Sequence, residues 1–320
     1  MRVNAADGPS GPRRATGAPS PVLAELIDLL ALEQLEENLF RGPSQDLGWG
    51  TVFGGQVLGQ ALSAATRTVA PNRAVHSLHA YFLRPGDVSR GVVYEVERLR
   101  DGSSFSARRV VAVQHGAPIL HLTASFHEPE PGFDHHEPMP TVPGPEGLLS
   151  ERALAAKLAP HLPEGFREKL LSDRPIEIRP IDPQNPLRPV PKPAQRALWL
   201  RAATALPDDP ALHRYLLAYA SDFHFLTTAL QPHGVSWMTP GMQVASLDHA
   251  MWFHRPFRMD EWLLYVVDGP STKGALGLVR GRVFREDGAL VAETAQEGLV
   301  RDRRDQRAPR PPTNFEGGLS

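Results

Sequence analysis

No cysteine occurs among the 320 residues. Disulfides, thiolate metal ligands and a cysteine nucleophile are all excluded. The absence fits a reducing compartment, and a cytoplasmic location is the expectation. Long apolar runs are missing too: nothing approaches the roughly 20 consecutive apolar residues that span a bilayer, so no membrane insertion is expected. An excess of one charge is also absent. With 34 Lys+Arg against 36 Asp+Glu and a formal net charge of −2, the chain has no electrostatic footprint for nucleic acid or an anionic membrane.

Several catalytic signatures are lacking. There is no G-x-S-x-G, which argues against an α/β-hydrolase nucleophile elbow, and no G-x-x-x-x-G-K-[ST]. Gly54, Gly55 and Gly59 do not compose a G-x-G-x-x-G dinucleotide loop. Thirteen histidines offer no ligand set at metal-binding spacing. His135-His136 reads as loop, and His76 and His79 fall on opposite faces of one strand. Neither a cofactor nor a metal is expected.

What the chain does contain is a copy of itself. Phe82, Arg84, Pro85, Tyr94, Val96 and Arg109 recur as Phe253, Arg255, Pro256, Tyr265, Val267 and Arg280, each at an offset of 171 (253 − 82 = 171). A repeat this long is a duplicated domain.

Each copy follows one plan. Ser20-Pro21 opens a short helix through Leu23, Leu26, Ile27 and Leu30. A strand is predicted from Leu32 to Phe40, then turns from Gly42 to Gly50. Phe53, Val57, Ala61, Ala64, Ala65 and Val69 mark one apolar helix face, closed by Pro71-Asn72. The strands His76–Leu83, Val92–Leu99, Phe105–Val113 and Ile119–Phe126 follow, separated by Pro85-Gly86, Asp101-Gly102 and His115-Gly116. In the second copy a strand over Ala197–Ala203 precedes a helix that Asp209-Pro210 opens and that runs on to Leu230. Strands Gln243–His254, Trp262–Val267, Gly277–Phe284 and Leu290–Leu299 complete it, with Glu286-Asp287-Gly288 as the last hairpin turn.

The predicted organisation is therefore a disordered tail (1–20), a first domain (21–128), a proline-rich linker across the surface (129–193), a second domain (194–301) and a second disordered tail (302–320). The linker carries one helical stretch, Gly147 to Leu158. The fold class is α+β, with a long helix against an antiparallel sheet, made twice.

Particular motifs now carry a resemblance. Phe53-Gly54-Gly55-Gln56, His76-Ser77-Leu78-His79, Tyr81-Phe82-Leu83-Arg84-Pro85-Gly86-Asp87 and Leu99-Arg100-Asp101-Gly102-Ser103-Ser104-Phe105-Ser106 resemble the acyl-CoA thioesterase II family. So do Asp248-His249-Ala250-Met251-Trp252-Phe253-His254-Arg255-Pro256 and Gln296-Glu297-Gly298. The resemblance implies a double hotdog fold and hydrolysis of fatty acyl-CoA to fatty acid and CoA. It places the family's catalytic aspartate on Asp222, its hydroxyl on Ser246 and its amide on Gln296. Some family members carry threonine where Ser246 stands, a change that keeps one donor and two acceptor lone pairs.

The chemistry of that trio suits the implied reaction. A water must be held near the thioester carbonyl carbon and lose a proton as it attacks. A carboxylate can take the proton, while a hydroxyl and an amide fix the water's other hydrogen bonds. Gly54, Gly55 and Gln56 open the first copy's helix, and two readings stand: close helix–sheet packing, or a substrate-lining segment at a helix N-terminus. Arg100 and Ser103 flank a hairpin turn and are candidates to contact CoA phosphates. Asp248 rivals Asp222, with a structural role as the other reading.

Two further functions stay open at this point. One is a hotdog hydratase or dehydratase, which wants a histidine–carboxylate pair. The other is a non-catalytic acyl-CoA binding protein. At the repeat offset Ser246 corresponds to Val75 and Asp248 to Ser77. With one extra residue in the last turn, Gln296 corresponds to Ala124. One active site per chain is expected, in the second copy. The sheet surface left to cover predicts a homodimer or larger homo-oligomer.

Overall fold

The computed structural model describes residues 14–15, 17, 20–161, 167 and 171–304. Most of both predicted tails lies outside the described residues. The first half comprises α1 (Pro21–Leu30), β1 (Glu33–Glu36), β2 (Leu39–Gly42), α2 (Gly54–Thr66), β3 (Ala74–Phe82), β4 (Val92–Asp101), β5 (Phe105–Gln114) and β6 (Ala117–His127). Next come α3 (Glu151–Leu158), β7 (Ile176–Pro180), β8 (Gln195–Ala202) and α4 (Pro210–Ser221). The chain ends with β9 (Met242–Ser246), β10 (Asp248–Phe253), β11 (Leu263–Lys273), β12 (Leu276–Arg285) and β13 (Leu290–Asp302).

The repeat becomes a two-fold pseudo-axis in the sheet. Strand order is β1-β2-β4-β5-β6-β3-β10-β13-β12-β11-β8-β7, with β9 paired to β13. Read from the centre outward, β3 and β10 occupy equivalent places, then β6 and β13, β5 and β12, β4 and β11. At the seam Ala250 pairs with His79, its own counterpart (250 − 171 = 79). Asp248 pairs with Tyr81 and Trp252 with Ser77, each facing the other's equivalent. The extra residue in the final turn is visible as well: Ala250 pairs with Ala295, whereas His79 pairs with Thr123 (295 − 172 = 123). The architecture is the double hotdog expected from the resemblance.

The turns follow from local chemistry. His115 and Gly116 both have positive φ, 49° and 70°, the geometry a two-residue hairpin needs to match strand twist. α2 and α4 pack against one another inside the sheet. A Cβ on Gly55 would lie 2.2 Å from the Tyr219 carbonyl oxygen, so only glycine permits this approach. α2 is buried from Gly55 to Ala65, and its polar side chains are all paired. Gln60 Nε2 donates to Leu29 O at 2.7 Å, Ser63 Oγ donates to Leu30 O at 2.9 Å, and Tyr94 Oη donates to Gln60 Oε1 at 2.6 Å. One apolar core runs through both halves, from Leu23 to Ala292.

Four expectations need correction. Leu32–Phe40 is a hairpin, β1 and β2, because the polar run Glu36-Glu37-Asn38 makes a turn whose Asn38 carbonyl accepts from Val96 N–H. Gln243–His254 is two strands, parted at Leu247. The helix opened by Asp209-Pro210 stops at Ser221, since His224 adopts the left-handed region at φ 57°; the segment Leu226–His233 is a separate 3₁₀ helix. The proline-rich middle is more than a linker: Ile176–Pro180 pairs with β8 and extends the sheet. Its helix begins at Glu151, where Ser150 Oγ accepts from Ala153 N–H. Among the described residues no helix is long and apolar enough to cross a membrane.

Candidate active site

The C-terminus of α4 delivers Asp222 as its C-cap residue. A carboxylate there opposes the helix dipole. The compensation comes from the other half. α2 begins at Gly54 with Phe53 as N-cap, and Phe53 has no side chain able to cap. Asp222 takes that role, accepting from the Gly55 backbone N–H. A Cβ on Gly54 would lie 2.7 Å from Asp222 Oδ2 and 3.0 Å from the Phe82 ring. Gly54 and Gly55 thus allow the helices to touch, as the packing reading has it, and bring the α2 N-terminus to the carboxylate.

Gln296 reaches the same group from β13, with Nε2 donating to Asp222 Oδ1 at 2.9 Å. Its own Oε1 is buried with no donor among the described residues. Phe53 stacks on Phe223 at 4.4 Å and meets Tyr219 edge-on at 5.3 Å, walling the carboxylate with aromatic surface. Asp222 keeps some accessible surface, yet the surrounding atoms strip the hydration of its carboxylate. Desolvation raises its pKa above the ordinary carboxylate value, while the bonds from Gln296 and Gly55 pull the other way.

Ser246 joins through a register shift. It pairs with Gly298 on β13, two residues beyond Gln296 and on the same face. The break at Leu247, whose N–H donates to Glu297 O, changes side-chain parity. Ser246 and His249 consequently share the inner face, and Asp248 turns outward to accept from Glu297 N–H at 2.6 Å. Asp248, the rival in sequence, is structural here. Among the described residues the Ser246 hydroxyl has no hydrogen bond.

The remaining predicted residues lie elsewhere. Gln56 braces the loop before α2: Nε2 donates to Pro43 O at 3.0 Å and Oε1 accepts from Gln45 N–H. Arg100 and Ser103 belong to the β4–β5 hairpin, which Arg108 ties to Thr68 just past the C-terminal end of α2. α2 has 13 residues, so about 20 Å of helix separates them from Asp222.

Sequence reasoning missed the layer behind Asp222. Ser221 Oγ donates to Ala218 O, so His249 Nε2–H donates to Ser221 Oγ at 3.0 Å. Burial drives the His249 pKa down to about 3, leaving a neutral imidazole whose Nδ1 is buried without a partner among the described residues. Tyr265 Oη donates to Ser221 O at 3.1 Å and accepts from Thr294 Oγ1. The packing of α4 on β10, β11 and β13, which no one-dimensional pattern contains, brings these groups together.

The chain resembles known proteins along most of its length. A family profile described as acyl-CoA thioesterase matches residues 167–299, and one described as acyl-CoA thioesterase N-terminal domain matches 43–127. Acyl-CoA thioesterase 2 of Haemophilus influenzae is 46% identical over 282 residues, covering 88% of this chain and 99% of that protein. The crystal structure of an acyl-CoA thioesterase II, TesB2, from Mycobacterium marinum is 42% identical with a TM-score of 0.71, covering 90% of this chain and all of that one. A hot dog fold protein of Alicyclobacillus acidocaldarius, 20% identical, has a TM-score of 0.68 over 87% of this chain and 98% of its own; it supports the fold alone.

Proposed function

The chain belongs to the acyl-CoA thioesterase family, and from that premise we propose that its single site hydrolyses acyl-CoA by direct attack of a water that Asp222, Ser246 and Gln296 hold. Hydrolysis of acyl-CoA thioesters is the activity of the family. The choice of residues rests on one observation above the rest: Gln296 and the Gly55 amide converge on a desolvated carboxylate walled by Phe53, Tyr219 and Phe223.

Each group has a part. Water's oxygen bonds to the thioester carbon as Asp222 takes one of its protons. Desolvation strengthens that proton affinity, which favours the transfer. Gln296 Oε1, an acceptor without a donor among the described residues, accepts a hydrogen bond from the water's second proton, and the Ser246 hydroxyl donates to the water's oxygen. Charge developing on the carbonyl oxygen is met by the N-terminus of α2. Collapse of the tetrahedral species breaks the C–S bond and releases CoA thiolate. The thiolate is a good leaving group and can take back the proton held by Asp222. No residue is acylated.

His249 argues against the hydratase reading. An imidazole with a pKa near 3, locked on Ser221, is too weak a base to abstract a proton from carbon. Release of free thiol from acyl-CoAs of several chain lengths, with Asp222→Ala alongside, tests the proposal. Absence of thiol release at every length overturns the activity; a covalent acyl adduct on Ser246 overturns the mechanism. We also propose a cytoplasmic homo-oligomer. Support comes from the cysteine-free composition and from the exposed Tyr81 on the outer sheet face, and light scattering on the purified chain reads the assembly directly.

A further inference from the structure

α4 has a second end. Its N-terminus opens on a cavity of about 400 Å³, whose lining includes Pro210, Pro256 and Phe257 together with His213, Arg214 and Arg258. α4 is 12 residues long, which puts about 18 Å between this cavity and Asp222.

Two donors in its wall have no acceptor among the described residues. His213 is 2% exposed, and its Nδ1 accepts from Met259 N–H at 3.0 Å. An imidazole that accepts at Nδ1 carries its proton on Nε2. That Nε2–H is buried and unpartnered among the described residues, and so is Arg214 Nε. Desolvation and the nearby Arg258 lower the His213 pKa, consistent with the neutral ring. The other arginines of the cavity are satisfied: Arg14 by Glu261, Arg258 by Asp208 and Asp260, Arg285 by Asp287. Arg214 donates only to the Pro210 carbonyl, at 3.2 Å, and pairs with no carboxylate among the described residues.

Buried donors without acceptors are costly unless a ligand supplies the acceptors. Two unpartnered donors in the lining of one cavity suit the two oxygens of a carboxylate. A dianionic phosphate fits less well, because Asp208, Asp209 and Glu261 share the lining. The apolar wall of Pro210, Pro256 and Phe257 suits an aliphatic body. We propose that this cavity is a second ligand site, taking a carboxylate with a short aliphatic chain whose oxygens accept from His213 Nε2 and Arg214 Nε. It is independent of the turnover reading, since binding is measured with no acyl-CoA present.

Isothermal titration calorimetry of the full chain with sodium octanoate tests it, using wild type, Asp222→Asn, Arg214→Met and His213→Phe, with inorganic phosphate as a second titrant. Wild type and Asp222→Asn should share a binding step that weakens at least tenfold in Arg214→Met. Phosphate should give no such step. His213→Phe removes the acceptor for Met259 N–H and can unfold; Arg214→Met keeps the aliphatic stem, and circular dichroism confirms that it is folded. The proposal fails if octanoate does not bind wild type, or if a folded Arg214→Met binds unchanged. It also fails if binding is lost in Asp222→Asn but kept in Arg214→Met, or if phosphate binds as tightly as octanoate.

Discussion

Replacing Asp222 with asparagine should slow the enzyme and stabilise the protein, and the second effect should grow with pH. The exchange preserves shape. The asparagine side chain can accept from Gly55 N–H and donate to Gln296 once the Gln296 amide flips, so the contacts of the native pair survive without charge. Loss of a positioned base costs about 10²–10⁴ in rate, or roughly 3–5 kcal/mol of barrier. The stability change has the opposite sign. The folded pKa of Asp222 lies above its unfolded value of 3.8, so the folded state binds the proton more tightly. Native stability from this group is therefore complete below 3.8 and is lost as pH rises through the folded pKa. Each unit of that elevation is worth about 1.4 kcal/mol at neutral pH. Asparagine carries no such penalty. Thermal denaturation of both proteins at pH 4, 6 and 8 should show the melting-temperature difference, variant minus wild type, opening in favour of the variant as pH increases. A variant less stable at pH 8 than at pH 4, relative to wild type, would falsify the desolvated-carboxylate account. Unchanged thiol release would remove Asp222 from catalysis.

Other outcomes follow from the same geometry. Gly55→Ala forces a Cβ to 2.2 Å from a backbone oxygen and should destabilise by about 1–3 kcal/mol in urea unfolding, with lost turnover. Gln296→Ala should lower kcat about 10²-fold with a smaller change in KM, because the amide contacts the base and the attacking water rather than the bulk of the substrate. Ser246→Thr should retain thiol release while Ser246→Ala reduces it; equal activity in all three would exclude the hydroxyl. The His249 ring should show neutral imidazole chemical shifts by NMR from pH 8 down to pH 5, so any acid limb of kcat/KM in that range belongs to another group.

Much of the scaffold could be read from residue order. Alternation and turn residues are local, so His115-Gly116 and Glu286-Asp287-Gly288 announced hairpins that the structure contains. The 171-residue offset revealed the duplication, whereas the pairing of the equivalent strands β3 and β10 at the centre of the sheet appears only in the structure. Residues of middling signal were misread for a physical reason. Leu32–Phe40 has too little periodicity to separate a strand from a hairpin, and the end of α4 depends on His224 tolerating positive φ, which its side-chain contact with Glu151 supports.

The site was named in sequence through resemblance, but its assembly was not there. Asp222 and Gly55 are 167 positions apart (222 − 55 = 167), and neither carries a mark of the other. A helix without a capping side chain and a carboxylate at the wrong end of another helix are each unfavourable alone. Packing α2 against α4 joins them and makes each the other's remedy. The parity of Ser246 likewise hangs on the break at Leu247, which exists only because β9 and β10 pair with β13 in registers one residue apart. Local sequence set the elements, their turns and the duplicated plan, since those depend on neighbours along the chain. Tertiary structure decided which carboxylate is desolvated, which face carries the hydroxyl and which donors are left unpaired, since those depend on neighbours across space.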